Sequence, residues 1–345
     1  MQEWVIAAAD EGQRLDKYLK RKLSEAPTSF FYKMMRKKNI TLNGRKCTGA
    51  EQLRTGDRVL LFLSEETIGK FQAASEGENQ ASLLAQECRK ACMEMTPVMI
   101  RKLGHDPVLF SDHNILIMEK PYGFLSQKAH PEDLSMNEWM IGFLLQHGEI
   151  TEKSLESFHP SVCNRLDRNT GGILIGAKTL KGAQQMSGGL KDRSLRKYYH
   201  MIVGGRLEGD GVLEGWLLKD PKTNQVRFCD RETSGAVYSR TLYHTLKNGY
   251  DPDGRPITLV EAELITGKTH QLRAHFAGTG HPIAGDPKYG DGNWNRKLLE
   301  RFGIHNQMLY CVRVVLPAGC SEADPQRECT ISCPEPVLFH KIFKY

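Results

Sequence analysis

One polar stretch constrains the fold of this chain more than any other, residues 164–172, which read Asn-Arg-Leu-Asp-Arg-Asn-Thr-Gly-Gly. The apolar residues 173–175 follow at once and predict a short buried strand. The stretch therefore places one carboxylate, Asp167, at the mouth of a sheet, between the guanidiniums of Arg165 and Arg168. Two such neighbours favour the ionised form of a carboxylate and can also bind phosphate.

An isolated Arg-Leu-Asp tripeptide is weak evidence for a site, because short motifs often match by chance. Its usual meaning is a surface turn with a local ion pair. The same tripeptide occurs at residues 14–16, where we interpret it as structural. A functional interpretation of residues 165–167 therefore rests on the longer stretch around them.

Positive charge is concentrated near the N-terminus. Residues 13–47 contain eleven Lys or Arg and two acidic residues, a net charge of +9, whereas the whole chain of 345 residues carries +6. A basic footprint in one small region favours a nucleic-acid-binding module, although charge runs are more often a solvated face. The candidate RNA contacts are Arg14, Lys17, Lys33, Arg36, Lys37 and Lys38.

The N-terminal segment predicts a compact module. Residues 13–24 indicate a helix with apolar residues four apart and a basic face, and residues 29–38 indicate a second helix. A strand and then the pair Asn43-Gly44 predict a tight hairpin. This unit resembles the αL RNA-binding domain, a small module of a ribosomal small-subunit protein and of many RNA enzymes. We expect it to span residues 1–64 and to bind structured RNA through phosphates.

A connector over residues 65–105 follows the first predicted domain. Residues 64–82 are rich in Ser, Glu, Gln, Ala and Gly, which predicts a flexible or partly helical linker. Residues 83–95 predict a helix with Cys88 and Cys92 on a buried face. We assign no function to this segment.

The second half predicts strands separated by turns. A helix is expected over residues 179–188, ended by the pair Gly188-Gly189. A loop with a second basic cluster comes next, and residues 206–256 predict short strands and polar turns. The members of that cluster are Lys191, Arg193, Arg196 and Lys197.

Composition argues against several classes of protein. No apolar run approaches the roughly 20 residues of a membrane helix, and the first residues lack the pattern of a secretory signal. Nine scattered cysteines, an odd number, indicate reduced thiols and a cytoplasmic location. Neither a P-loop nor a well-placed dinucleotide fingerprint occurs, so we expect no nucleotide cofactor. We also expect a monomer, because no coiled-coil pattern or strongly apolar surface stripe is evident.

Three histidines leave a metal hydrolase open as an alternative. His270, His275 and His281 could ligate a metal, but the first two are off one helical face and no Glu occupies the place of a zinc hydrolase's base. The cysteines of residues 320–333 lack the usual Cys-x-x-Cys pairs. We therefore expect no metal.

The stretch around Asp167 resembles the signature of the RluA-type pseudouridine synthases. In that signature His-Arg-Leu-Asp, a polar pair, Thr and two small residues lead into an aliphatic strand. The resemblance implies that Asp167 is the catalytic residue. The chain departs from the pattern at Asn164, where His is common, and at Gly171, where Ser or Thr is common. Neither departure removes the carboxylate.

Three further blocks occur in the family's order, so the resemblance covers most of residues 106–317. A Lys-x-Tyr block matches the active-site tyrosine at Tyr199, and Thr-His-Gln-Leu-Arg matches at Arg273 the arginine that pairs with the catalytic aspartate. Leu309 matches the apolar floor of the uracil pocket, although Tyr and Cys then replace the usual His and Ala. Lys120, in a Lys-Pro-x-Gly block, is a candidate substrate contact or an ordinary loop lysine.

These features predict an α+β protein with two domains. The small αL RNA-binding domain of residues 1–64 precedes the connector and a catalytic domain at 106–345. The resemblance implies a mixed, largely antiparallel sheet in the catalytic domain. It also suggests the branch of the family that acts on large-subunit ribosomal RNA.

The resemblance implies isomerisation of specific uridines to pseudouridine, most directly in 23S ribosomal RNA. The bond from ribose C1′ to uracil N1 is broken and remade to C5 without redox or group transfer, so no cofactor is expected. Asp167 can act as a nucleophile at C1′ or as a base at C2′. A uridine inside a stem must flip out, and Arg165 is a candidate to hold the space it leaves. The alternative is a catalytically silent RNA-binding or ribosome-binding factor on the same scaffold.

Overall fold

The computed structural model describes residues 2–7, 10–71, 76–320 and 326–343. Its N-terminal domain combines two helices with a four-stranded sheet in the order β1-β4-β2-β3. The strands are β1 (Gln2–Val5), β2 (Ile40–Leu42), β3 (Arg45–Lys46) and β4 (Arg58–Leu61), and the helices are α1 (Leu15–Lys22) and α2 (Thr28–Arg36). Each helix lies within two or three residues of its predicted bounds.

Both N-terminal helices form because one face of each is apolar. Helix α1 buries Leu15 and Leu19, and α2 buries Phe31 and Met35, in a core shared with the small sheet. Asp16 lies in the first turn of α1, where a carboxylate suits the helix dipole. Most of the basic side chains are left on the outer surface.

The predicted hairpin is present. Asn43 (φ 51°) and Gly44 (φ 73°) are both left-handed, as a two-residue turn of this type requires. Leu42 therefore lies opposite Arg45 in the β2–β3 pair. The turn is also held by Asp57, which accepts a hydrogen bond from the Asn43 side chain at 2.8 Å.

The connector is mostly helical. It contains α3 (Glu65–Phe71) and α4 (Glu76–Leu103), so the helix predicted at 83–95 extends further at both ends. Cys88 and Cys92 lie on its buried face, as expected. That face packs on α5 (Met136–Gln146), where a Cβ at Gly142 would lie 2.0 Å from the Cys88 carbonyl oxygen. The glycine thus permits a close crossing of the two helices.

An 11-stranded sheet forms the catalytic domain. Its main path is β11-β10-β12-β13-β9-β14-β8-β6-β5, with β15 paired to β14 and β7 paired to β8. The strands are β5 (Val108–Ser111), β6 (Ile115–Lys120), β7 (Ser161–Val162), β8 (Gly171–Ala177), β9 (Arg196–Gly204), β10 (Asp210–Lys219), β11 (Val226–Cys229), β12 (Val237–Tyr250), β13 (Pro256–Leu264), β14 (Leu309–Leu316) and β15 (Cys329–Ser332). The remaining helices are α6 (Glu152–Leu155), α7 (Leu180–Asp192), α8 (Gln271–Gly278), α9 (Gly292–Phe302) and α10 (Leu338–Lys341).

The expected mixed, largely antiparallel sheet is confirmed. Strands β14 and β8 run parallel, and the other paired strands run antiparallel. The parallel pair lies at the centre of the path and brings the start of β14 beside the start of β8. That junction positions the Asp167 loop. None of the helices in the described ranges is long and apolar enough to cross a membrane.

Three local expectations were wrong. Helix α7 does not end at Gly188-Gly189 but continues to Asp192, because a glycine at 189 lets the helix pack closely against Leu195. Its end is instead the left-handed Arg193 (φ 68°). The second basic cluster is consequently not all on a loop, since Lys191 is helical and Arg196 and Lys197 start β9. Residues 206–256 form long rather than short strands, because β10 and β12 pair with each other.

An arginine joins the two domains. Arg21 of α1 donates a hydrogen bond to the Ser157 carbonyl oxygen at 2.8 Å, just after α6. Its other terminal nitrogen contacts Asp10 at 2.6 Å. Since one guanidinium serves both domains, the N-terminal domain is held against the catalytic domain.

Candidate active site

Asp167 lies in the loop directly before β8. The Thr170 N–H donates to the Asp167 carbonyl oxygen at 3.0 Å and closes the turn. Gly172 then enters β8 with a φ of +105°, and a Cβ there would lie 2.2 Å from the Cys311 carbonyl oxygen in β14. Glycine is therefore required for β8 and β14 to approach closely enough to set the position of the loop.

The two departures from the family pattern have local explanations. The Asn164 side chain accepts a hydrogen bond from the Ile175 N–H (2.8 Å) and donates to the Ile173 carbonyl oxygen (3.3 Å), so it behaves like a strand partner of β8. At Gly171, a Cβ would lie 2.2 Å from the ring of Tyr310. The larger Tyr310, which replaces the usual His, thus occupies space that a Ser or Thr at 171 would need.

Arg273 of α8 contacts Asp167 from 106 residues away in the chain. Its Nη1 donates to Asp167 Oδ2 at 2.8 Å. Its Nε and Nη2 donate to the two carboxylate oxygens of Asp286 at 2.7 and 2.8 Å. Asp286 is buried and also accepts the backbone N–H groups of Lys288 and Tyr289. The guanidinium is therefore fixed by one carboxylate and aimed at another.

The electrostatics of this pair favour charge. Burial alone would lower the pKa of Arg273, but the carboxylates of Asp286 and Asp167 raise it above its usual value. Arg273 consequently stays cationic. The Asp167 side chain is 32% exposed, whereas that of Arg273 is 7% exposed, so the carboxylate can be reached from solvent and its partner cannot.

His270 is a second neighbour of the carboxylate. Its Nε2 lies 3.7 Å from Asp167 Oδ2, and its Nδ1 lies 2.8 Å from the Tyr289 hydroxyl. Burial lowers the pKa of His270, an effect that the negative charge of Asp167 opposes in part. The imidazole is therefore best described as neutral at pH 7. Because Tyr289 accepts the Val226 N–H at 2.8 Å, its own proton is available for Nδ1.

The guanidiniums that flank Asp167 in sequence do not pair with it. Arg165 and Arg168 are exposed, and among the described residues the charged partner of Asp167 is Arg273. The expectation of a carboxylate held between its two neighbours was therefore wrong. The chain turns at this loop, so adjacent side chains diverge and a distant helix supplies the cation.

Lys120 lies beneath the loop and does not line the cleft. Its side chain is fully buried, and its amine donates to three carbonyl oxygens, those of Pro121 (3.2 Å), Phe124 (2.9 Å) and Arg168 (3.1 Å). Burial lowers the pKa of Lys120 to about 7. These contacts hold two loops together. They favour the ordinary loop lysine over the direct substrate contact.

A cleft of about 690 Å³ contains most of the other expected residues. Arg165, Asp167, Tyr199 and Arg273 line it. Tyr199 is buried on β9, and burial raises the pKa of its phenol well above the usual value, so the hydroxyl stays protonated. Leu309 is buried at the start of β14, opposite Met201 of β9, and is not part of the lining.

Sequence reasoning missed several members of the site. Asp286 was overlooked because its partner Arg273 is thirteen residues away on a different element. Gln307 also lines the cleft, where its Nε2 donates to Thr170 Oγ1 at 3.1 Å. Lys197 lines it as well, although we assigned it no role beyond the basic cluster and the Lys-x-Tyr block that located Tyr199. The one available signal was its place two residues before Tyr199, on the same face of a strand.

The three histidines of the metal alternative have separate surroundings. His275 Nε2 lies 2.7 Å from Ser239 Oγ, and burial lowers the pKa of this imidazole to about 4. His281 Nδ1 lies 2.9 Å from the Gly204 carbonyl oxygen. No group of three His, Cys, Asp or Glu side chains within the described ranges could hold a metal ion. All nine cysteines are free thiols.

The basic residues of the N-terminal domain form an accessible surface. The six candidate RNA contacts all have exposed side chains: Arg14, Lys17, Lys33, Arg36, Lys37 and Lys38. Four of them belong to α2 or the turn that follows it. This arrangement leaves their charges free for phosphate, apart from Arg14, which pairs with Asp16.

Comparison with known proteins decides the family. Residues 114–278 match the family described as RNA pseudouridylate synthase, and residues 13–59 match the S4 domain. The chain therefore contains an RNA pseudouridylate synthase domain. Its N-terminal module is an S4 domain, which is the αL-type module expected from the sequence. The enzyme class is therefore RNA pseudouridine synthase.

Relatives of this synthase cover most of its length. The ribosomal large subunit pseudouridine synthase C of Vibrio cholerae is 27% identical over 90% of this chain and 87% of its own. The ribosomal large subunit pseudouridine synthase D of Nitrosomonas europaea is 31% identical over 53% of this chain and 49% of its own. The solved structure of human RNA pseudouridylate synthase domain containing 4 has a TM-score of 0.54 at 23% identity and covers 72% of this chain and 95% of its own, which supports the fold.

Proposed function

We propose that this RNA pseudouridine synthase isomerises specific uridines of large-subunit ribosomal RNA, with Asp167 as the catalytic residue. The observation that carries the proposal is the accessible Asp167 carboxylate, paired at 2.8 Å with an Arg273 guanidinium that Asp286 fixes in place. A carboxylate aimed in this way can attack C1′ or remove a proton from C2′. Either action breaks the bond to uracil N1 without a cofactor.

The target class is inferred from relatives and from charge. Two relatives named above carry ribosomal large subunit in their names. The S4 domain offers an exposed basic surface that suits the phosphates of structured RNA. A ribosomal substrate would be modified in the cytoplasm. We propose a monomeric enzyme, because the sequence has no evident coiled-coil pattern or strongly apolar surface stripe.

Within the cleft, each side chain has a proposed task. The uridine flips out of its stem at a cost of a few kcal/mol, and exposed Arg165 holds the space that it leaves. The neutral phenol of Tyr199 contacts the uracil ring and can assist removal of the C5 proton. Buried Leu309 supports the apolar floor from behind.

The test is a pseudouridine map of ribosomal and transfer RNA from cells with and without this gene. We expect one or a few large-subunit sites to disappear, and to return with the wild-type gene but not with Asp167→Asn. A site that returns with both genes would contradict the role of Asp167. An unchanged map would favour a silent RNA-binding factor, and sites lost only from transfer RNA would contradict the ribosomal target.

A further inference from the structure

Lys197 is a cation inside the cleft that the proposed mechanism does not use. It lies on β9 two residues before Tyr199, so both side chains lie on the same face of the strand. It lines the same cleft as Asp167 and is partly buried. By comparison, Arg165, Arg168 and Lys268 at the mouth of the cleft are exposed.

The amine of Lys197 lacks an anionic partner. Within the described ranges, neither a carboxylate nor a carbonyl oxygen pairs with it, and the Cys311 thiol is close enough to influence its pKa. The other buried cations of the site are satisfied, because Lys120 donates to three carbonyl oxygens and Arg273 contacts two carboxylates. A partly buried ammonium without a counter-ion is unfavourable unless an anion arrives from elsewhere.

Burial supports this description. It lowers the pKa of Lys197 from its usual value, and the nearby Cys311 opposes the change only in part. The amine therefore loses its proton at a lower pH than an exposed lysine does. The cost of holding this charge without a partner suggests that the charge is used when substrate is bound.

The proposed reaction produces the same anion, the detached uracil, whether Asp167 acts as a nucleophile or as a base. If Asp167 attacks C1′, a C–O bond forms, the C1′–N1 bond breaks, and its electron pair leaves on the uracil. If Asp167 takes the C2′ proton, the C–H electron pair forms the C1′–C2′ double bond and the same C1′–N1 pair leaves on the uracil. Both routes produce a detached uracil anion, whose charge is shared among N1, O2 and O4. Re-attachment forms the C1′–C5 bond with an electron pair of the uracil anion. In the first route the C1′–O bond breaks and its pair returns to the Asp167 carboxylate, and in the second the proton held by Asp167 returns to C2′. Water then takes the C5 proton and supplies a proton to N1, so the isomerisation balances.

We propose that Lys197 is a catalytic residue that stabilises the detached uracil anion by contact with one of its charged ring atoms. The inference rests on the proposed function. A backbone phosphate is the weaker candidate, because exposed Arg165, Arg168 and Lys268 already serve the mouth of the cleft. Lys197 lies further in, beside the tyrosine that we place against the uracil.

The experiment compares Lys197→Met, which keeps the length of the side chain, with Lys197→Arg and with Lys181→Met, a control at an exposed lysine outside the cleft. Full-length enzyme in excess over the RNA identified by the map gives the single-turnover rate, and a filter-binding titration gives the Kd. For Lys197→Met we expect a rate about 100-fold lower, the usual effect of losing one stabilising contact to a developing anion. The Kd should change less than about threefold, since the uracil anion forms only after the RNA has bound.

Two further readouts separate catalysis from structure. The wild-type rate should fall at high pH as the amine deprotonates, whereas Lys197→Arg should recover much of the rate and lose that fall. Equal melting temperatures would show that both variants fold. Lys181→Met should leave the single-turnover rate within about twofold of wild type, because Lys181 is exposed on α7 and does not line the cleft.

Opposite results have distinct meanings. An active wild-type enzyme with an unchanged Lys197→Met rate would overturn the inference alone. A weaker Kd at an unchanged rate would overturn it in favour of a phosphate contact. A wild-type chain that forms no pseudouridine in any RNA would overturn the proposed function and this inference with it.

Discussion

The tripeptide Arg-Leu-Asp occurs twice in this chain, and the two copies have different surroundings. At residues 14–16 the arginine pairs with the aspartate of the same tripeptide. Arg14 Nε donates to Asp16 Oδ1 at 3.1 Å, and Arg14 Nη2 donates to Asp16 Oδ2 at 2.9 Å. The Tyr32 hydroxyl donates a further hydrogen bond to Asp16 at 3.0 Å. This copy is a self-contained ion pair at the start of a helix.

In the second copy, residues 165–167, the arginine and aspartate are not partners. Asp167 instead pairs with Arg273, which Asp286 holds from the other side. Arg165 is exposed and remains available to RNA. The comparison teaches that the tripeptide by itself specifies neither the pairing nor the site. The carboxylate pairs with the adjacent arginine in the first copy. In the second copy it pairs with an arginine from a distant element and faces the cleft.

The sharpest test of this contrast is the same substitution in both copies. Asp167→Asn removes the charge that performs the chemistry, so we expect the single-turnover rate to fall at least about 10³-fold. RNA affinity should stay nearly constant. Asp16→Asn is the matched control and should retain the wild-type rate. Comparable losses in both variants would contradict the functional difference between the copies.

The second test removes the support of the distant cation. Asp286→Asn leaves the buried Arg273 guanidinium with one carboxylate instead of two, which should lower the free energy of unfolding by about 3 kcal/mol. The rate should also fall, because Arg273 is free to move away from Asp167. Urea denaturation measures the first effect and single-turnover kinetics the second. Wild-type values for both would mean that Asp286 does not position the arginine.

A third test concerns the glycine after the second tripeptide. Gly171→Ser places a side chain against the Tyr310 ring and should cost about 2 kcal/mol of stability. The double variant Gly171→Ser/Tyr310→His should recover part of that loss, since the smaller ring vacates the space. Gly188→Ser is the control, because a Cβ there meets nothing within 4 Å. If the stability losses of the two single variants simply add in the double variant, a side chain at 171 and the Tyr310 ring do not compete for the same space.

A fourth test concerns RNA binding by the N-terminal domain, which contains the first Arg-Leu-Asp copy. Replacing Lys33, Arg36 and Lys37 together by Gln should reduce the slope of log binding constant against log salt by about 2 to 3, since each lost phosphate contact removes close to one unit. Binding is measured between 50 and 200 mM salt, the range in which phosphate contacts are most evident. The control replaces three exposed lysines of the catalytic domain, Lys153, Lys181 and Lys222, by Gln. Equal changes in the two variants would argue against an RNA-binding role for α2.

The sequence was sufficient for features that depend on near neighbours. The hairpin at Asn43-Gly44, the short buried strand after the Asp167 loop and the amphipathic N-terminal helices follow from local conformational preferences and spacing. Family resemblance supplied the pairing of Asp167 with Arg273. The bracing by Asp286 could not be predicted, because nothing near residue 286 indicates that a buried arginine lies beside it.

Other errors have the same physical origin. The expected end of α7 failed because tertiary contacts at Gly189 outweigh a weak helix propensity. The expected ion pairs of Arg165 and Arg168 failed because adjacent side chains diverge in a tight turn. Burial and partners of charged groups are set by elements that are distant in sequence, so local patterns predicted residue types at the site better than their contacts.

The smallest expected effect is a pH-dependent change in stability caused by Asp16 of the first Arg-Leu-Asp copy. Burial raises the pKa of Asp16, but hydrogen bonds from Arg14 and Tyr32 outweigh this, so the folded-state pKa lies below the usual value. A lowered carboxyl pKa stabilises the fold above the unfolded pKa of about 4, and the stabilisation is lost as the pH falls through the folded-state value. Asp16→Asn should therefore lower the urea midpoint slightly at pH 7, and the difference from wild type should shrink towards pH 3. A difference that grows on acidification would mean that Asp16 is not a stabilising carboxylate, and the first Arg-Leu-Asp would then need a role other than the structural one.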